Sequence, residues 1–70
     1  MTIATLISDD FVALDHGSII ALRPVTPEAR VWIYEHVDTE ALWHGSSLCI
    51  ERRYFAPIYS HILGDGLTVA

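Results

Sequence analysis

Seventy residues with nine carboxylates, four arginines and no lysine carry a formal charge of −5. That balance argues against a protein that grips a phosphate backbone, which needs clustered Lys/Arg, and the length allows only one domain, 1–70. The single Cys49 rules out an internal disulfide, so a core burying only ~60% of its unfolded surface calls for self-association as a homodimer or completion by a partner.

The first apolar stretch, Ile3–Ile7, is too short for a signal segment and runs into Ser8-Asp9-Asp10 without a basic flank. Ile19–Leu22 falls far short of the ~20 residues that span a bilayer. A lone cysteine suits a reducing compartment, so no membrane association and a cytoplasmic location are expected.

Phe11–Leu14 and Ser18–Arg23 are apolar runs split by Asp15-His16-Gly17, which predicts a hairpin. Ile20 and Leu22 share one face of the second strand; Ile19, Ala21 and Arg23 share the other. Pro24 ends that strand, because it has no N–H for the ladder. Thr26-Pro27-Glu28 then reads as an N-cap, a proline at the first helical position and an acid favourable to the helix dipole. Ala29, Trp32, Ile33 and His36 or Val37 recur at helical spacing, which points Trp32 into the core, and Asp38-Thr39 breaks the pattern.

Ala41–Ser47 reads as a turn or irregular strand entry, with Gly45-Ser46-Ser47 its flexible part. Leu48–Glu51 is a short strand with Leu48 and Ile50 on one face and Cys49 and Glu51 on the other. A second helix begins near Arg53, because Phe55, Ile58, Tyr59 and Ile62 form one stripe. Its Pro57 fits only in the first turn, where N–H groups lack intrahelical acceptors. Gly64 suits the position just past the helix, Asp65-Gly66 a turn, and Leu67–Val69 a terminal strand. The order is β-β-α-β-α-β, an α+β fold with a sheet of three to four strands and two helices packed on one face.

Gly17-Ser18-Ile19, Leu22-x-Pro24, Thr26-x-x-Ala29-x-x-Trp32, Trp43-x-Gly45, Ile50-Glu51-x-Arg53-Tyr54 and Asp65-Gly66-Leu67-x-Val69 occur together in this chain. As an ensemble from Gly17 to Val69 they resemble a loose family of short, uncharacterised phage, plasmid and proteobacterial proteins. The resemblance implies a mobile-element origin and brings no catalytic residues with it.

The residues themselves offer little finished chemistry. His16, His36, His44, Cys49 and His61 are spaced 20, 8, 5 and 12 apart, whereas zinc ligands usually arrive as close pairs. Only His44 and Cys49 are near each other, and a thiol between Leu48 and Ile50 is expected to be a buried packing group. No metal site and no cofactor are read from this pattern. A Cys49 nucleophile with His44 or His61 lacks an orienting carboxylate and a pocket. Ser46 and Ser47 lack a nucleophile elbow, and Gly64-Asp65-Gly66 lacks the further glycine and helix of a phosphate loop. No catalytic residue is assigned, and the chain is read as a non-enzyme.

Two features could meet a macromolecule. Arg52-Arg53 beside Tyr54 could stack on single-stranded nucleic acid, although Phe55 is expected in the core and the arginines have Glu51 to pair with. The acids concentrate elsewhere: Asp9, Asp10 and Asp15 along the hairpin, and Glu35, Asp38 and Glu40 around the end of the first helix. Gathered on one surface they would imitate a phosphate track, with Trp43 or Tyr34 as an aromatic anchor.

The sequence therefore predicts an acidic interaction protein steered to the basic surface of a nucleic-acid-handling complex, without direct nucleic-acid binding. Its concrete version is a phage-type inhibitor of a host defence complex such as a CRISPR effector, by analogy of size, charge and origin with anti-CRISPR proteins. The alternatives are a small homo-oligomeric accessory protein whose charge only solubilises it, and an Arg/aromatic nucleic-acid binder.

Overall fold

Asp15 starts the first tight turn: its Oδ1 accepts the Gly17 N–H at 2.8 Å, and Gly17 takes φ +90°, a conformation costly for any side chain. The turn joins β1 (Phe11–Asp15) to β2 (Ile19–Pro24) in a computed structural model that describes residues 9–37 and 41–70. The register pairs Val12 with Arg23 and Leu14 with Ala21, so the predicted hairpin forms with its expected alternation. Strand β2 is central. It also pairs antiparallel with β4 (Ser47–Glu51), setting Ile20 opposite Ile50 and Leu22 opposite Leu48.

Helix α1 (Pro27–His36) begins where the sequence places it. Thr26 Oγ1 accepts the Ala29 N–H at 3.1 Å, and Pro27 occupies the position where a missing N–H costs nothing. The helix buries Ala29, Trp32 and Ile33. A two-residue strand β3 (Trp43–His44) follows, pairing with β4 across a turn in which Gly45 has φ +62°. The irregular entry expected over Ala41–Ser47 is thus partly a hairpin, and the sheet order is β1-β2-β4-β3. The α+β class with two helices is as the sequence predicts, but the order is β-β-α-β-β-α and not β-β-α-β-α-β, because β3 supplies the fourth strand in place of the one expected at Leu67–Val69.

Helix α2 (Arg52–Gly64) begins within one residue of the expected start near Arg53, but Pro57 and the C-terminal end depart from expectation. It starts directly after β4, so Pro57 is its sixth residue and lies beyond the first turn. Arg53 and Pro57 are both exposed, which leaves the carbonyl that Pro57 cannot serve open to water rather than orphaned in the core. Gly64 is the last helical residue, and Asp65 caps the helix with its N–H on the carbonyls of His61 and Ile62. The expected terminal strand is reduced to one parallel bridge, Phe11 to Val69. Phe11 N–H donates to Thr68 O at 3.0 Å, and Ala70 N–H to Phe11 O at 2.8 Å.

Both helices cover one face of the sheet. Phe11, Leu22, Leu48 and Ile50 meet Ala29, Trp32, Ile33 and Ile62 in a single cluster, with Phe55 and Ile58 packed against its edge. The opposite face carries Val12, Leu14, Ala21 and Cys49. Cys49 is accordingly half-buried on the outer face, not a core thiol, because the alternation that sends Leu48 and Ile50 inward turns it away from the helices. No described helix is long and apolar enough to cross a membrane.

Candidate functional site

Of the eight residues that the sequence proposes for partner contact, six lie in the described structure. Asp38 and Glu40 fall outside the described residues. Asp9 and Glu35 are exposed.

Asp10 and Asp15 have structural partners instead. Asp10 Oδ1 accepts the Thr26 hydroxyl at 2.7 Å, and its Oδ2 accepts the Thr68 N–H at 3.0 Å. Because Thr26 Oγ1 also accepts from Ala29, the N-terminus of α1, the start of β1 and the C-terminal segment are joined through one carboxylate. The Thr26 hydroxyl, and after it the Thr68 backbone, hold the Asp10 carboxyl below its ordinary pKa. Asp15 pairs with Arg52, whose Nε donates to Gly17 O at 2.6 Å. The bond from Arg52, then that from Gly17, lowers the Asp15 pKa, and the same pair raises that of Arg52.

The Arg52–Arg53–Tyr54 segment is likewise taken up locally. Arg53 sits 3.4 Å from Glu51 and lies over the Tyr54 ring at 4.9 Å. The pairing with nearby acids that the sequence allows is what the structure contains.

The two aromatic candidates do converge. Tyr34 on α1 is 84% exposed and Trp43 on β3 is 39% exposed. Both line a groove of about 570 Å³ between α1 and the β3–β4 turn, floored by Pro24, Val25 and Ile33. Arg23 and Arg30 line the same groove, and neither is ion-paired to an acid among the described residues. The aromatics are therefore accompanied by guanidinium groups and not by the acids expected beside them. Chain distance hid this grouping: Arg23 ends a strand, Arg30 and Tyr34 are one helical turn apart, and Trp43 reaches them only because β3 folds back. The (i, i+4) spacing of Arg30 and Tyr34 was the available signal.

A second convergence joins His36, His61 and Asp65, the one group of three metal-ligating residues among those described. His44 and Cys49, the nearest pair in the sequence, enter no such group. The chain separation of 25 residues between the two histidines gives no spacing signal, whereas His61 and Asp65 stand four apart at the end of α2.

No family model, no curated protein and no solved structure matches the chain.

Proposed function

We propose that the protein is a non-enzymatic interaction module whose recognition surface is the groove between α1 and the β3–β4 hairpin. The observation that carries this reading is the exposure of Tyr34 and Trp43 on either side of a groove that also holds Arg23 and Arg30. Aromatic and arginine side chains are the residue types that dominate binding energy at interfaces: the aromatics bury large area at low entropic cost, and the guanidinium adds planar, charge-assisted hydrogen bonds. Arginines in the groove favour a carboxylate on the partner beside the apolar group that fills it, since the planar fork binds carboxylate bidentately.

A second reading is favoured by the formal charge of −5. In it Glu35 and Asp9, with Asp38 and Glu40, dock on a basic nucleic-acid-handling surface in the cytoplasm, as a phage-type inhibitor of a defence complex would. Asp10 and Asp15 add less to this version than their charge suggests, because hydrogen bonds and Arg52 already engage them.

Affinity capture from a bacterial lysate, followed by binding of the purified partner, separates the two. The groove reading expects Tyr34→Ala with Trp43→Ala to abolish binding, and Arg23→Glu with Arg30→Glu to weaken it. The triple change Glu35→Lys, Asp38→Lys, Glu40→Lys should leave it intact. A partner lost by the triple change and retained by the groove variants would overturn the groove reading and establish the acidic one. Charges near an interface act mainly on encounter rate, so the acidic reading also expects association to slow at raised salt.

A further inference from the structure

We propose that His36, His61 and Asp65 bind a divalent transition-metal ion of the zinc class, which clamps α1 against the C-terminal end of α2. His36 Nε2 lies 3.7 Å and His61 Nε2 3.5 Å from Asp65 Oδ2, and all three ligand atoms fall within 4.8 Å of one another. A tetrahedral ion with ligands at about 2.0–2.1 Å separates them by about 3.3–3.4 Å. Two edges of that tetrahedron are thus nearly in place, and a rotation of one imidazole shortens the third. Both distances exceed the ~3.2 Å of N–H···O hydrogen bonds, and they are ion pairs only when the imidazoles are protonated, so neutral rings leave the gap open to a cation.

The surrounding bonds orient two of the three ligands as a metal requires. His36 Nδ1 lies 2.9 Å from the carbonyl of Trp32. A carbonyl only accepts, so this nitrogen carries the proton and the Nε2 lone pair faces the site. Metal-bound histidines characteristically donate their other ring N–H in this way. Trp32 serves a second ligand as well, its Nε1–H donating to Asp65 Oδ2 at 2.7 Å. The indole is itself fixed, being buried in the core and stacked on the His36 ring at a centroid distance of 4.2 Å. Asp65 is held from the other side by its own N–H on the last turn of α2.

The ligand set selects the ion. Two imidazoles and one carboxylate suit Zn²⁺, Co²⁺, Ni²⁺ or Cu²⁺, whereas Ca²⁺ and Mg²⁺ need six or more oxygen-rich positions that one carboxylate cannot supply. The half-exposed His61 and Asp65 side chains leave the corner open to solvent, so water could complete the coordination. For a chain with no disulfide and a thin core, such a clamp supplies the tertiary link that size alone denies it.

The test uses the full chain after chelator treatment and dialysis. Zn²⁺ is expected to raise the midpoint of thermal unfolding in a concentration-dependent manner. Co²⁺ is expected to give the visible absorption of a tetrahedral centre, and Ca²⁺ and Mg²⁺ to do neither. In a Trp43→Phe background Trp32 is the only tryptophan, and Cu²⁺ should quench its fluorescence until displaced by excess Zn²⁺. His61→Gln should weaken each response by about tenfold or more, while Cys49→Ser leaves them unchanged. Absence of both the Co²⁺ spectrum and the Zn²⁺ shift would overturn the proposal. So would responses that survive in the double variant His36→Gln, His61→Gln, or that vanish with Cys49→Ser. The quenching experiment keeps the wild-type ligands and so decides the matter even if a histidine variant misfolds.

Discussion

Asp10 and Asp65 each tie together segments far apart in the chain, yet they are built in opposite ways. Asp10 faces hydroxyl and amide donors that satisfy both of its oxygens, and every bond is made within the protein. Asp65 takes one such bond, from Trp32, and otherwise confronts two imidazole nitrogens at distances too long to be bonds. A carboxylate whose two oxygens are both engaged by neutral donors within the chain works as a joint. One that meets lone-pair donors across a gap is shaped for something that fills the gap.

The largest test of this contrast falls on Trp32, which belongs to the core and to the Asp65 corner at once. Trp32→Ala should cost about 3–5 kcal/mol, comparable to the whole stability of a small domain, and its thermal transition should drop or disappear. Trp32→Phe separates the two roles. It keeps much of the ring packing against Phe11 but removes the indole donor, so the fold should survive with metal affinity reduced. A Trp32→Phe protein that binds metal like the parent would show that the indole bond does not orient Asp65.

Next in size is Asp10→Ala, which should cost about 1–2 kcal/mol at neutral pH, the lower part of the range for hydrogen bonds to a charged group because the site is partly exposed. Its pH dependence has a definite sign. The folded-state pKa lies below the ordinary value, so the unfolded chain binds the proton more tightly. The stabilisation is then complete above the unfolded pKa, near pH 4, and is lost as pH falls through the folded value. Parent and Asp10→Ala melting temperatures should therefore differ at pH 7 and converge at acid pH. A gap that persisted to low pH would mean the carboxylate charge is irrelevant to the joint. Asp15→Asn should follow the same course with a smaller shift, since its partner Arg52 is exposed to screening solvent.

How much of this was legible in the sequence depends on whether the signal is local. The Thr26-Pro27-Glu28 start, the Asp15–Gly17 turn and the inward phase of Trp32 are written in neighbouring residues, and the structure repeats them. Pro57 lies past the first turn even from the expected start near Arg53, and the helix tolerates it because the Arg53 carbonyl it cannot serve is open to water, an exposure that sequence position does not give. Cys49 misled because an apolar neighbourhood in sequence places a strand residue on either face. The acidic cluster was inferred from charge spacing alone, and side-chain partners from other segments had already engaged Asp10 and Asp15. Within one helix the (i, i+4) pairs Arg30–Tyr34 and His61–Asp65 were legible, but Arg23 and Trp43 reach the groove, and His36 reaches the Asp65 corner, only through tertiary packing, which no spacing rule encodes.

The smallest expected effect is also the sharpest for the comparison, and it concerns Asp65→Asn in metal-free buffer. Asparagine keeps a carbonyl oxygen for the Trp32 donor, so the one internal bond is retained. The negative charge at the C-terminal end of α2, by contrast, is unfavourable there, because unpaired carbonyls already make that end negative. Removing it should leave the stability within about 0.5 kcal/mol of the parent, or raise it slightly. With Zn²⁺ present the order should reverse, as the parent gains stability and the variant does not. Chemical denaturation with and without the ion measures both halves. If Asp65→Asn is as damaging in chelator as Asp10→Ala, then Asp65 is a closed structural joint like its counterpart, and the distinction between the two corners fails.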